Sequence, residues 1–106
     1  MNTKELAEKI DLGEGEYLEM LELFVGITGS SLEKLKSGLD ASNAQQVVEA
    51  AHSIKGSAAN LGLEKIAVVA KGVEMNARQN SLERGAEAAT SIKEQCDQIA
   101  GELKSS

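Results

Sequence analysis

Proline and tryptophan are absent from this 106-residue chain, and cysteine, histidine, tyrosine and phenylalanine occur once each. Without proline, no residue forces a helix to end. Aromatics at 2%, few β-branched residues and abundant Ala, Leu, Glu and Lys favour helix over sheet. A single cysteine cannot form an internal disulfide, which points to a cytoplasmic protein. One histidine and one cysteine supply no ligand set, so no metal site is expected. No apolar run approaches membrane-spanning length, and Met1-Asn2-Thr3-Lys4-Glu5 does not lead into an apolar signal segment. The formal charge is -6 with no basic stripe. Nucleic acid and anionic membranes are therefore not expected partners. There is no Gly-rich phosphate loop, Ser/His/Asp arrangement or paired-carboxylate site.

Hydrophobic residues make up 42% of the chain, enough for one compact domain over residues 1–106. They recur at spacings of three and four in separate blocks, each the buried stripe of an amphipathic helix. The first block is Leu18, Leu21, Val25, Thr28, Leu32, Leu35 and Leu39; the second is Val47, Ala51, Ile54, Ala58 and Leu61. The third is Leu63, Ile66, Ala70, Val73 and Ala77; the fourth is Leu82, Gly85, Ala89, Ile92, Cys96, Ile99 and Leu103. A short helix around Thr3–Ile10, capped by Thr3, precedes them. Asp11–Gly15, Gly38–Asn43 and Gln79–Ser81 read as loops or helix ends. Ser42 with Gln45 reads as a capping box, Gly62 as a left-handed helix end and Ser81 as an N-cap. Gly26 and Gly29 suggest a close helix approach or a kink. Such short connections pack neighbouring helices antiparallel. The predicted fold is all-α: an antiparallel up-and-down four-helix bundle with a short extra N-terminal helix. Glycine and asparagine breaks disfavour a long coiled coil.

The histidine lies in Ala51-His52-Ser53-Ile54-Lys55-Gly56-Ser57-Ala58-Ala59-Asn60-Leu61-Gly62. On a helix His52 points roughly 140° from the centre of the apolar stripe, toward solvent. Position alone would make it an ordinary surface histidine. Its neighbours change that reading. Glycine inside a helix costs about 1 kcal/mol relative to alanine, and a cleared approach to His52 is a reason to keep Gly56. Lys55 is either part of a solvated face or a cation placed to stabilise phosphoryl oxygens. Ser57 reads as a small interface residue, Asn60 and Gly62 as a helix end, and Cys96 as a core residue.

These residues resemble the signature of histidine-containing phosphotransfer (HPt) domains, in the core His52-x-x-Lys55-Gly56 and the trailing Leu61-Gly62. Leu63–Ala67 and Glu74–Arg78 are similar to the family's following helix; Leu21–Phe24 and Leu32–Leu39 are similar to its preceding one. The resemblance spans about residues 16–104. It implies a phosphorelay in two-component signal transduction. His52 would accept a phosphoryl group from a receiver-domain aspartyl phosphate and pass it to another receiver. Lys55 would steady the phosphoryl oxygens, and Gly56 would leave room for the receiver. Glu74 matches a polar position beside the histidine, where a glutamate orients the ring, raises its basicity or repels bound phosphate.

The implied partners are response-regulator receiver domains and a hybrid sensor histidine kinase. The chain carries phosphoryl without kinase activity of its own, needs no cofactor and acts as a monomer; Mg²⁺ belongs on the receiver. Met1 and a complete bundle favour a stand-alone protein. A receiver is expected to dock on an apolar ledge drawn from Met20, Phe24 and Ile27 of the first long helix, with Val48 and Ala59 beside the imidazole. The alternative is a non-catalytic helical-bundle interaction module, for which His52, Lys55 and Gly56 would have no use.

Overall fold

The computed structural model describes residues 2–105, which form five helices: α1 (Thr3–Lys9), α2 (Glu14–Asp40), α3 (Ala44–Asn60), α4 (Glu64–Arg78) and α5 (Gly85–Ser105). At 1.5 Å per residue the 27 residues of α2 extend about 40 Å, which sets the 41 Å long dimension of the molecule.

The first four helices end in one shared way. After each, two backbone N–H groups turn back onto the last turn and satisfy carbonyls that would otherwise be orphaned. After α3, Leu63 N–H donates to Ala58 O at 2.9 Å and Gly62 N–H to Ala59 O at 3.1 Å. After α2, Asn43 and Ser42 donate to Gly38 and Leu39 in the same way. Leu12 and Asp11 close α1, and Ser81 and Asn80 close α4. The motif needs one left-handed residue per turn, and Asp11, Ser42, Gly62 and Asn80 have φ of 58°, 52°, 74° and 61°. Only Gly62 adopts it without a Cβ penalty.

This shared geometry corrects three expected caps. Ser42 closes α2, so it is not the cap of α3; Asn43 is, accepting from Gln46 N–H at 3.1 Å. Ser81 is tied to Asn76 O behind α4, and α5 starts only at Gly85. Asn2, not Thr3, caps α1, accepting from Glu5 N–H.

Contacts fix the helix directions. Late in α2, Lys34 meets Glu49 early in α3, whereas Tyr17 at the start of α2 donates to Leu61 O past the end of α3 at 2.6 Å. Leu39 near the end of α2 lies over Gly85 at the start of α5. Neighbouring backbones in the ring α2–α3–α4–α5 lie close together, and the diagonal pairs are held farther apart. The apolar stripes of α3 and α4 are buried throughout. In α2, Tyr17 and Phe24 join the core, beyond the stripe read from the sequence.

Two glycines mark where helices close on one another. A methyl at Gly38 would lie 2.9 Å from Val47 Cγ2, and one at Gly85 would lie 2.5 Å from Leu39 Cδ2. By contrast, a Cβ at Gly26 or Gly29 meets nothing within 4 Å, so these residues serve no close approach.

Candidate functional site

Val47, Ala51, Ile54 and Ala58 turn α3 inward and leave His52 on the outer flank, its side chain 63% exposed. On α4, Ile66, Ala70, Val73 and Ala77 face the core. Glu74 follows Val73 by one residue, about 100° around the helix, which turns it toward α3. Its side chain is buried, only 5% exposed, on the seam between the two helices.

Three positively charged or protonatable groups converge on that carboxylate. Lys55 Nζ donates to Oε1 at 2.8 Å, Arg78 Nη2 donates to Oε2 at 2.9 Å, and His52 Nδ1 lies 2.9 Å from Oε2. Burial alone would raise the carboxyl pKa. The hydrogen bond from Lys55, aided by those from Arg78 and His52, overrides burial and pulls it down to about 2. Glu74 is therefore ionised at neutral pH and can only accept. In the neutral imidazole the proton must then sit on Nδ1, which leaves a lone pair on Nε2. Nε2 has no hydrogen-bond partner among the described residues. The site thus offers a fixed tautomer with its nucleophilic nitrogen in solvent.

Lys55 joins His52 through Glu74 and is half-buried, not part of a freely solvated face. Gly56 is on the same helix, and a Cβ there meets nothing within 4 Å. Helix packing therefore gives no reason for this glycine. The apolar ledge is only partly present. Met20 is 39% and Ile27 54% exposed, and Ala59 is exposed. Phe24 and Val48 are core residues at 3% and 8%, so neither offers a docking surface. Leu23, 66% exposed and three residues from Met20, forms an i, i+3, i+7 stripe with Met20 and Ile27 on the surface of α2. Arg78 was missed as a site residue, although its i+4 spacing from Glu74 signals the pair. Among the described residues no group of His, Cys, Asp or Glu side chains is arranged to hold a metal ion, and no helix is long and apolar enough to cross a membrane.

The Hpt domain family model matches residues 19–102, and the chain belongs to this family. The crystal structure of histidine-containing phosphotransfer protein B (HptB) from Pseudomonas aeruginosa PAO1 is similar, with a TM-score of 0.82 and 29% sequence identity. The alignment covers 94% of this chain and 87% of that one. No curated protein sequence gave a match. The function is histidine phosphotransfer in phosphorelay signalling, carried out by a family of phosphoryl carriers that interact with receiver domains and histidine kinases of two-component systems.

Proposed function

We propose that His52 is the phosphoacceptor, and that a response-regulator receiver domain and a hybrid sensor histidine kinase are the partners. The observation that carries this reading is the bond between His52 Nδ1 and the ionised Glu74, which leaves Nε2 free. The Nε2 lone pair attacks the phosphorus of a receiver aspartyl phosphate. The P–N bond forms as the P–O bond breaks, and the aspartate leaves as a carboxylate. Nδ1 keeps its proton, the ring becomes cationic, and Glu74 lies against that charge. Passing the group on reverses each step. No proton has to move, so Glu74 orients the ring without acting as a base.

In-line placement and charge stabilisation do most of the work in phosphoryl transfer. Mg²⁺ on the receiver supplies much of the latter. Lys55 contributes from this chain, and Gly56 keeps the approach to Nε2 low. Met20, Ile27 and Ala59 provide apolar contact for the receiver. The chain holds no cofactor, has no kinase activity of its own and works as a cytoplasmic monomer, with residues 1–106 forming a single domain.

The test is incubation with a phosphorylated receiver and Mg²⁺. The chain should acquire acid-labile, base-stable phosphate. His52→Gln should abolish this while keeping the helical circular dichroism, because the side chain is outside the core and the glutamine amide can still donate to Glu74. Labelling that survives the substitution would sink the assignment.

A further inference from the structure

Glu74 holds both cations of the site, Lys55 at 2.8 Å and Arg78 at 2.9 Å. A phosphoryl group on Nε2 would compete for the same two. Lys55 and Arg78 are 30% and 60% exposed and can swing, while Glu74, at 5%, cannot turn to water. Releasing them leaves a desolvated carboxylate with only the imidazole N–H, which is costly. We propose that Glu74 is a positioning residue that competes with the phosphoryl group for Lys55 and Arg78, and so keeps phosphorylated His52 a ready donor. The proposal rests on His52 being the phosphoacceptor. A carboxylate differs here from an amide of the same shape. Both accept from Nδ1–H, but only the carboxylate withholds cations from the phosphate.

A double-mutant cycle isolates this competition from any effect of Glu74 on the ring. Phosphoramidate serves as a small donor. Its P–N bond breaks, the bond to Nε2 forms and ammonia leaves, with Nδ1 still protonated. At a fixed ratio of phosphoramidate to ammonia, ³¹P NMR reads the equilibrium fraction phosphorylated. In the unaltered chain, where Glu74 already claims the lysine, Lys55→Ala should lower the phosphorylation equilibrium constant by about twofold or less. In the Glu74→Gln background, where Lys55 is free to reach the phosphate, the same change should lower it by about fivefold or more. An equal or smaller effect in that background overturns the proposal. A second readout is the ¹⁵N resonance of Lys55 Nζ: it should move little when the unaltered chain is phosphorylated and clearly more in Glu74→Gln, and an equal shift in both overturns the competition. If the unaltered chain takes no phosphoryl group on His52 at all, the phosphoacceptor assignment itself fails.

Discussion

The α3–α4 seam and the α2–α5 seam are both antiparallel helix contacts in one bundle, yet they are built from different chemistry. Between α2 and α5 the contacts are apolar and close, with Leu39 lying over Gly85. The Lys93–Asp97 pair of α5 stays on the surface. Cys96 sits in that seam as a small core residue, and burial, with Asp97 nearby, pushes its thiol up to about 11. It is protonated and inert at neutral pH. Between α3 and α4 the chain instead buries an ionised carboxylate and surrounds it with three side chains that reach solvent. A buried ion pair is rarely better for stability than apolar packing of the same volume. The α2–α5 seam shows that this bundle can close without one. Glu74 is therefore better explained by what it does to His52 and Lys55 than by what it adds to folding.

The largest expected effect breaks the comparison from the structural side. Ile92 on α5 is fully buried, and Ile92→Ala should destabilise the bundle by about 3 kcal/mol. Urea unfolding measures this. Phosphoramidate labelling per folded molecule should stay unchanged, because the hydrogen bond that orients His52 comes from Glu74 on the α3–α4 seam. Reduced labelling of the folded fraction would mean the two seams are coupled.

Acid should act mainly on the other seam. Glu74 has its pKa lowered from 4.5 to about 2 in the folded protein. The stability it contributes is present above pH 4.5, and is lost as pH falls toward 2. Between those values unfolding takes up a proton, so Glu74→Gln should flatten the pH dependence of stability in that window. An unchanged slope would show that Glu74 is not held ionised by its partners.

The sequence displayed helix faces well and helix ends poorly. Val47, Ala51, Ile54, Ala58 and Leu61 fall on one face by period alone, and all are buried. A stripe is set by many residues, so the error at any one is small. An end is set by one or two. Ser42 and Asn43 are both capping residue types, and only the left-handed turn at Ser42 decides that Asn43 caps α3. Ser81 fails for the same reason, its N–H already bound to Asn76 O. At the site, the exposure of His52 followed from helix geometry. The convergence of Lys55 and Arg78 on Glu74 did not, since Lys55 and Glu74 are 19 residues apart and meet only once two helices pack. Val48 is close to His52 in angle, but the end of α4 at Ala77 and Arg78 lies beside it and it is buried.

Gly56 and Gly38 give the smallest and most discriminating effect. Both are helical glycines, and their propensity cost is the same. At Gly38 the space is taken, with Val47 Cγ2 at 2.9 Å and Val47 N at 3.2 Å from a Cβ, so Gly38→Ala should lower stability by about 1–2 kcal/mol. At Gly56 there is room, so Gly56→Gln should gain several tenths of a kcal/mol from helix propensity alone. The long side chain, one turn from His52, would stand in the path of a receiver domain. Transfer from a phosphorylated receiver should therefore slow, while labelling by phosphoramidate, small enough to pass, should hardly change. Equal losses with both donors would mean that the glutamine disturbs the imidazole itself, and unchanged transfer from the receiver would remove steric clearance as the reason for this glycine.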